Sequence, residues 1–392
     1  MFFSQVIGQD RIKQQLIRAV EEGRVSHAQL FLGPEGCGNL AMALAFAQYI
    51  NCENRQTGTD SNGKVTGDSC GKCPSCIKAQ KVIHPDIHYT FPFVKIEDKE
   101  LCADWMKEWR EFVLQTPYGT YNDWIENITE GNKQGNITAK ECLEILRKLS
   151  LKNYEGIYKV QILWMPEFLD KEGNRLLKML EEPPDNTVFL LVANDSEQIL
   201  NTIMSRVQIV KFARLADEDV AQVLERDHQQ PHNQAVKIAQ MAGGNLQEAI
   251  RLLDIHEDAN TAMIREWMEA CYRQQVKQLF AWNDKFLKLG REQQKMFFQY
   301  CLHFFREVML IQAGAGQLAK LTDAELKTAQ GLGQVLGVEK LMGIIELFDK
   351  SIYFVERNVN GKIMMTYVSV TLLKQFQKNY QPTRPFYDRW AL

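Results

Sequence analysis

The sequence predicts an α/β domain built on a largely parallel sheet and followed by an all-helical region. In the first half of the chain, short apolar runs of strand type alternate with segments that have the apolar spacing of a helix. Such alternation is typical of a parallel sheet covered by helices on both faces. The strand signals fade from about residue 216, and helical periodicities continue from there. The predicted strands cover 28–32, 158–164, 187–193 and 208–212.

This pattern divides the chain into three regions. We predict an α/β base over residues 1–212, a small helical lid over 213–257 and a helical domain over 258–392. Within the base, residues 89–135 form a polar stretch with three tryptophans, which we predict to be an irregular insertion. The Gly-Gly-Asn at 243–245 predicts a break between two lid helices. The main predicted helices cover 9–23, 40–50, 139–149, 171–180, 293–313 and 363–376.

The composition is that of a soluble protein with more than one domain. At 392 residues and 45% hydrophobic content, the chain is long enough for two or three cores. The net charge of -3 argues against a protein that coats nucleic acid by bulk charge. The chain has no apolar run of about 18 residues, and residues 1–5 lack the features of a secretory signal. We therefore expect a cytoplasmic protein that does not bind membranes.

A glycine-rich loop connects the first predicted strand to an alanine-rich helix. Gly33, Gly36 and Gly38 lie in the arrangement that cradles phosphate with backbone N–H groups. In loops that hydrolyse nucleotides, a lysine and a hydroxyl residue follow the last glycine and bind phosphate and magnesium. Asn39 and Leu40 hold those two positions here. The glycines alone fit a plain strand-to-helix turn equally well.

A second nucleotide motif is also incomplete. Hydrolysing relatives of such loops need acidic residues at the end of an apolar strand, where they hold magnesium and polarise water. The strand over 160–165 ends in Pro166 and Glu167, which leaves one carboxylate where a pair is expected. Losses in both motifs predict that this chain does not hydrolyse ATP. The alternative is a divergent ATPase that uses Glu167.

Four cysteines lie close together in the sequence. Cys52, Cys70, Cys73 and Cys76 have the spacing C-x17-C-x2-C-x2-C. Four thiolates suit a closed tetrahedral zinc site, and four protein ligands leave no open position for catalysis. An iron–sulfur cluster is the chemical alternative, because closely spaced cysteines also bind iron. We predict a structural zinc site.

The remaining cysteines and one histidine motif suggest ordinary structural roles. His84-Pro85-Asp86 has no nucleophile that the sequence pairs with it, so we predict a turn with a capping carboxylate. The isolated cysteines are predicted to be small core residues; they are Cys37, Cys102, Cys142, Cys271 and Cys301.

Five ordered segments carry a resemblance to a known family. The segment 176–184 (LLKMLEEPP) is followed by 187–192 (TVFLLV) and 203–208 (IMSRVQ). The earlier segments 6–9 (VIGQ) and 26–28 (SHA) belong to the same pattern. Together they resemble the AAA+ subunits of bacterial clamp loaders. The resemblance covers most of the first 255 residues, and the last third is similar mainly in being helical.

The resemblance implies roles for particular residues. Arg206, in the motif Ser-Arg-Val, matches the family's arginine finger, which acts in trans on the γ-phosphate held by a neighbouring subunit. Lys178 matches a position that links DNA contact to the nucleotide sites, although an exposed helical lysine can equally be a solvated charge. Gln247 stands where catalytic members have a second phosphate-sensing arginine. The cysteine cluster over 52–76 matches the family's zinc module.

The resemblance also implies partners and a specific type of subunit. The lost residues together with the retained arginine point to a non-hydrolysing subunit of the delta-prime type, which we expect not to bind ATP. Its partners would be the gamma/tau and delta subunits, with the sliding clamp and primed DNA reached through the assembly. The alternatives are an ATP-hydrolysing gamma/tau-like subunit and a zinc-dependent DNA-binding protein. A strong salt dependence of DNA binding by the isolated chain would favour the last.

Overall fold

The structure is a computed structural model that describes residues 1–59, 65–96, 98–129, 133–253, 257–316, 321, 323–357 and 359–377. Contacts between residues divide the chain into two compact units. The first unit is Met1–Ile250 and the second is Arg251–Leu392. Each unit is described by itself.

A five-stranded sheet forms the centre of the first unit. Its strands lie in the order β4-β5-β6-β1-β7, and every neighbouring pair is parallel. This confirms the predicted parallel α/β class, with β1 between β6 and β7. A separate antiparallel hairpin pairs β2 with β3. The strands are β1 (Ala28–Leu32), β2 (Gln56–Thr59), β3 (Val65–Asp68), β4 (Ile87–Thr90), β5 (Lys159–Trp164), β6 (Thr187–Ala193) and β7 (Gln208–Lys211).

Helices of the first unit cover both faces of the sheet. The helix that follows β1 is buried along its whole length, as expected for a helix that is apolar on all sides. On the opposite face, apolar residues of β1, β5 and β6 form one core with the helices between β4 and β7. These helices are α1 (Asp10–Glu21), α2 (Asn39–Ile50), α3 (Pro74–Gln80), α4 (Met106–Gln115), α5 (Tyr121–Ile128), α6 (Ala139–Ser150), α7 (Leu177–Glu181), α8 (Asn201–Met204), α9 (Asp217–His228), α10 (His232–Ala242) and α11 (Leu246–Leu252).

The stretch over 89–135 is more ordered than predicted. Its first two residues belong to β4, and about half of the remainder forms a 3-10 helix (Cys102–Trp105) with α4 and α5. The prediction that this stretch is irregular was therefore wrong for these helices. The reason is a cluster of aromatic side chains that lie among polar residues in the sequence. Trp109 stacks on Phe91 with 4.1 Å between ring centroids, and it contacts Trp124 edge-on at 5.2 Å. Trp164 at the end of β5 lies 5.2 Å from Trp109, so the insertion packs against the sheet.

The segment predicted as a helix over 171–180 is helical, but it changes from 3-10 to α form at residue 177, and a kink precedes it. The structure has a long 3-10 segment (Pro166–Leu176) followed by the short α7. Within the 3-10 segment, Asp170 has φ 46° and ψ −144°, a region that non-glycine residues rarely adopt and that no helix contains. Local apolar spacing cannot reveal this kink, because the buried residues on either side keep a helical period.

The second unit is all-helical, as predicted. The predicted helices over 293–313 and 363–376 correspond to α14 and α17. A stacked pair, Trp267 and Trp282, forms the centre of its core with 4.4 Å between ring centroids. No helix of the described residues is long and apolar enough to cross a membrane. The helices are α12 (Glu257–Tyr272), α13 (Val276–Phe286), α14 (Arg291–Gln312), α15 (Asp323–Val335), α16 (Val338–Glu356) and α17 (Gly361–Gln375).

Candidate functional site

The glycine-rich loop lies at the carboxyl end of β1, where parallel α/β sheets place their ligand sites. Gly36 and Gly38 have φ values of 69° and 88°, which side chains rarely adopt. Both glycines are also closely covered: a Cβ added to Gly36 would lie 1.9 Å from Asn245 Oδ1, and one on Gly38 would lie 2.7 Å from the ring of Tyr118. The side chains of Asn245 and Tyr118 therefore cover these two glycines of the loop.

Asn39 does not face a ligand. Its Nδ2 donates to the Ala193 carbonyl at 3.0 Å, and its Oδ1 accepts from the Leu40 N–H at 2.9 Å. Leu40 is only 2% exposed. Asn39, at the position of the expected lysine, thus binds the end of β6. Leu40, at the position of the expected hydroxyl, belongs to the apolar core. Neither side chain is placed to bind phosphate or magnesium.

Tyr118 fills the space over the loop. It lies in the turn between α4 and α5, and its hydroxyl accepts a hydrogen bond from the Ile7 N–H at 2.8 Å. The cavity that remains between the loop, this turn and the end of β5 has a volume of about 10 Å³. That space holds about one water molecule and not a triphosphate. No sequence pattern indicates this contact, because Tyr118 lies 80 positions after Gly38 in a segment without a motif.

Glu167 has a structural role. Its Oε1 accepts hydrogen bonds from the backbone N–H groups of Asn194 and Asp195, at 2.6 and 3.0 Å. Burial raises the pKa of this carboxyl above its ordinary value. Oε1 is thus bound to the turn after β6, whereas Oε2 is buried without a hydrogen-bond partner among the described residues. This geometry favours a structural role for Glu167.

Arg206 lies directly after α8 and is partly exposed. Its Nε donates to Glu181 Oε1 at 2.5 Å, and its Nη1 donates to the Thr202 carbonyl at 2.8 Å and to Ser205 Oγ at 2.9 Å. The guanidinium is thus held in one orientation by three acceptors of its own chain. The guanidinium therefore forms an ion pair with a partly exposed carboxylate of its own chain, Glu181.

Lys178 and Gln247 are the two other residues assigned by the resemblance. Lys178 is exposed on α7, three positions before Glu181. Gln247, on α11, is 8% exposed and uncharged. An exposed lysine can contact a partner, whereas a buried glutamine cannot supply the charge of a phosphate-sensing arginine.

The four clustered cysteines come together as predicted. Their Sγ atoms all lie within 4.8 Å of one another. The 17 residues between the first two cysteines include the hairpin of β2 and β3, which the sequence did not predict, and the last cysteines flank the start of α3. The hairpin is fixed to the amino terminus, because Asp68 accepts hydrogen bonds from the N–H groups of Phe3 and Ser4.

The cysteine cluster fits a tetrahedral metal ion. Zinc–thiolate bonds of about 2.3 Å place the four sulfur atoms roughly 3.8 Å apart, close to the spacing seen here. Backbone N–H groups also donate to sulfur: Cys70 N to Cys52 Sγ at 3.2 Å, and Cys76 N to Cys73 Sγ at 3.4 Å. Hydrogen bonds from Lys72 and Cys73 lower the pKa of Cys70 to about 6, which favours the thiolate that a metal requires.

The turn over His84-Pro85-Asp86 is structural, as predicted. The Asp86 carboxylate accepts hydrogen bonds from the N–H groups of Tyr154, Glu155 and Gly156 at 2.7 to 2.8 Å. It therefore fixes the loop before β5. The isolated cysteines are all buried, which confirms their interpretation as core residues. Burial raises the pKa of Cys37 to about 11, so its thiol stays protonated beside the glycine loop.

Asp86→Asn is expected to destabilise the chain by about 2 kcal/mol at neutral pH, because hydrogen bonds to a charged acceptor are weakened. Burial opposes ionisation of Asp86, but the three N–H donors outweigh burial and lower its pKa below the ordinary 3.8. The stabilisation is therefore present above pH 3.8 and is lost as the pH falls through the folded-state pKa. Urea unfolding at neutral and acidic pH measures it.

The matched control for this change is Asp185→Asn, at an exposed loop position, which should change stability by less than about 0.5 kcal/mol. An Asp86→Asn chain as stable as wild type at neutral pH would contradict the capping role.

Comparison with known families identifies the chain. The family model described as "DNA polymerase III, delta subunit" matches residues 8–216, more than half of the sequence. The chain belongs to this family. The parallel sheet with its glycine loop after β1 is accordingly the AAA+ base of a clamp-loader subunit. The family model covers the glycine-rich loop, Glu167, Lys178 and Arg206, so each of these residues lies within the region that the family shares.

Curated relatives of two types match this clamp-loader subunit. The tau subunit of Bacillus subtilis DNA polymerase III is 23% identical over 373 residues, covering 89% of this chain and 57% of the tau subunit. The delta-prime subunit of the same organism is 26% identical over 309 residues, covering 78% of each chain. The chain thus spans little more than half of the tau subunit. Overall similarity does not separate the two types.

Among solved structures, a gamma subunit-related protein of DNA polymerase III from Thermotoga maritima is similar. It is 14% identical, with a TM-score of 0.37, and the match covers 93% of this clamp-loader subunit and 100% of that chain. A TM-score of this size does not allow comparison of individual positions.

Proposed function

We propose that this chain is a non-hydrolysing, delta-prime-type subunit of the clamp loader that offers Arg206 to ATP bound by a neighbouring subunit. A guanidinium presented to the γ-phosphate stabilises the charge that develops during hydrolysis. The assembly would use that hydrolysis to place a sliding clamp on primed DNA. This chain contributes the finger and a fixed α/β base, and the neighbour contributes the nucleotide, the metal and the water.

The filled nucleotide site carries the proposal. A cavity of about 10 Å³ remains above the loop, and Tyr118 occupies the place of a ligand against Gly38. Asn39 is bound to the Ala193 carbonyl, and Leu40 is in the core. Because the charge, the metal ligand and the space are all missing, hydrolysis by this chain would need three separate changes.

The same residues distinguish the proposal from an ATP-hydrolysing gamma/tau-like subunit. The match to tau extends over more of the chain than the match to delta-prime, but identity over length says nothing about the active site. A tau-like ATPase needs phosphate-binding cations where Asn39 and Gln247 stand. It also needs an accessible carboxylate, whereas Glu167 Oε1 is bound by two backbone N–H groups and Oε2 is buried.

The isolated chain is expected to show no ATP turnover and no ATP binding at concentrations up to about 1 mM. Tyr118→Ala should open the cavity enough for weak ATP binding, with a Kd in the millimolar range, because the N–H groups of the loop become accessible. It should still show no hydrolysis, since Asn39 and Leu40 remain. Equilibrium dialysis and a phosphate-release assay measure the two quantities.

Tyr118→Phe is the matched control, because it keeps the ring over Gly38 and removes only the hydroxyl that accepts from the Ile7 N–H. It should exclude ATP as the wild-type chain does. Turnover by the wild-type chain, abolished by a substitution at Gly38, would contradict the proposal and favour the ATPase alternative.

We further propose that the four cysteines hold a structural zinc ion. When bound, zinc would supply a cross-link between the start of α3 and the end of the hairpin, with no open position for chemistry. The close spacing of the sulfur atoms, within 4.8 Å, favours one ion over an iron–sulfur cluster, whose cysteines bind different irons.

The assembly itself is the last part of the proposal. The helices described in the second unit would form the collar that joins the gamma/tau and delta subunits, over residues 258–392 as the sequence predicts. Lys178, exposed on α7, is available for contact with DNA inside the ring. The base, lid and collar divisions at 212 and 257 belong to this proposal as well.

A further inference from the structure

The guanidinium of Arg206 uses only part of its donor capacity within the chain. Arginine has five N–H donors in a rigid planar fork. The Nε donor binds Glu181, and the two Nη1 donors bind the Thr202 carbonyl and Ser205 Oγ. Among the described residues, Nη2 has no acceptor. The three internal bonds fix the plane of the fork and leave its Nη2 edge for an oxygen outside the chain.

The acceptors come from two separate elements. Thr202 and Ser205 belong to α8 and its carboxyl end, directly before Arg206, and they move with the finger. Glu181 is the last residue of α7, 25 positions away. The hydrogen bond to Glu181 is therefore the contact that holds the arginine to a different helix.

We propose that Glu181 is the positioning residue of the arginine finger, an inference that rests on the proposed function. Its carboxylate holds Nε so that the Nη2 edge points outward before the neighbour's ATP arrives. A donor that is already oriented stabilises the transition state without reorganisation during the reaction. The adjacent Glu182 is also exposed but makes no such contact with Arg206, although both glutamates stand side by side in the sequence.

The size of the effect follows from the exposure of the pair. The side chains of Arg206 and Glu181 are 32% and 46% exposed. Ion pairs of this exposure contribute up to about a fivefold change in an equilibrium or rate. Loss of Glu181 should therefore weaken the finger and not abolish it. The loss should appear in kcat, because the finger acts on the transition state and does not bind the ground-state nucleotide of the neighbour more tightly.

The test uses the reconstituted clamp loader with gamma/tau-type and delta-type partners and ATP as the probe. Glu181→Ala is expected to lower kcat for ATP hydrolysis by about twofold to fivefold with KM unchanged. Glu182→Ala is the matched control and should equal wild type. In a chain that already carries Arg206→Ala, Glu181→Ala should cause no further loss, since a positioning residue acts only through the finger.

The outcomes separate the two hypotheses. If Arg206→Ala lowers turnover and Glu181→Ala does not, positioning by Glu181 is wrong and the finger stands. A loss from Glu181→Ala that persists in the Arg206→Ala background means a general structural effect and also overturns the inference. If Arg206→Ala leaves turnover unchanged, the proposed function fails, and positioning by Glu181 fails with it.

Discussion

Arg206→Ala is expected to lower hydrolysis of the ATP held beside this chain by on the order of 10³-fold, the lower end of the range for arginine fingers. The guanidinium contributes its effect at the transition state, so ATP affinity of the assembly should change little. Single-turnover hydrolysis by the reconstituted clamp loader measures the rate of that site, and equilibrium nucleotide binding measures the affinity.

Two further variants sharpen this prediction. Arg206→Lys keeps the charge but not the planar fork, and should restore only a small part of the rate. Arg147→Ala removes an arginine that also pairs with a surface glutamate, Glu144, and should leave the rate unchanged. Equal hydrolysis rates for Arg206→Ala and wild type would show that Arg206 does not act as an arginine finger.

Cys76→Ser is expected to abolish metal binding and to destabilise the first unit by on the order of 5 kcal/mol. In small zinc domains, the metal contributes about 10 to 16 kcal/mol to the free energy of folding. We expect a smaller loss of stability here, because the base has its own hydrophobic core. The melting temperature should fall by roughly 10 °C. Metal analysis should find about one zinc per wild-type chain and none in the variant.

The control for the metal prediction is Cys142→Ala, which truncates an isolated buried cysteine in the core of the sheet. It should lose a little stability and keep its zinc. Iron with visible absorbance in the wild-type chain would favour the cluster alternative, and an unchanged metal content in Cys76→Ser would exclude that residue as a ligand.

The sequence predicted elements whose signals are local. In α1, the apolar residues Ile12, Leu16, Ile17 and Val20 recur at helical spacing, and all four are buried. The strands β1, β5 and β6 are almost wholly apolar and fit only the interior of a parallel sheet. The hairpin between Cys52 and Cys70 was not predicted because its strands have only four residues each, contain a glycine each and show no alternation of apolar and polar residues.

The sequence predicted those parts of the candidate site that depend on the type of residue at a given position. The cysteine spacing identified a cluster, and the residues at 39 and 40 indicated a loop without a cation or hydroxyl. The roles of Tyr118 and Glu181 could not be predicted from the sequence. Their importance depends on which distant residue they contact, Gly38 in one case and Arg206 in the other, and no periodicity encodes a contact between different elements.

The tyrosine over the glycine loop also constrains the evolution of this chain. A back-mutation of Asn39 to lysine would place an ammonium group beneath a closed cavity of about 10 Å³, with no phosphate to bind. A hydroxyl at position 40 would be buried in the core. Under the proposed function, no single substitution would therefore restore hydrolysis. Loss of ATPase activity in such a subunit would be difficult to reverse by substitutions made one at a time.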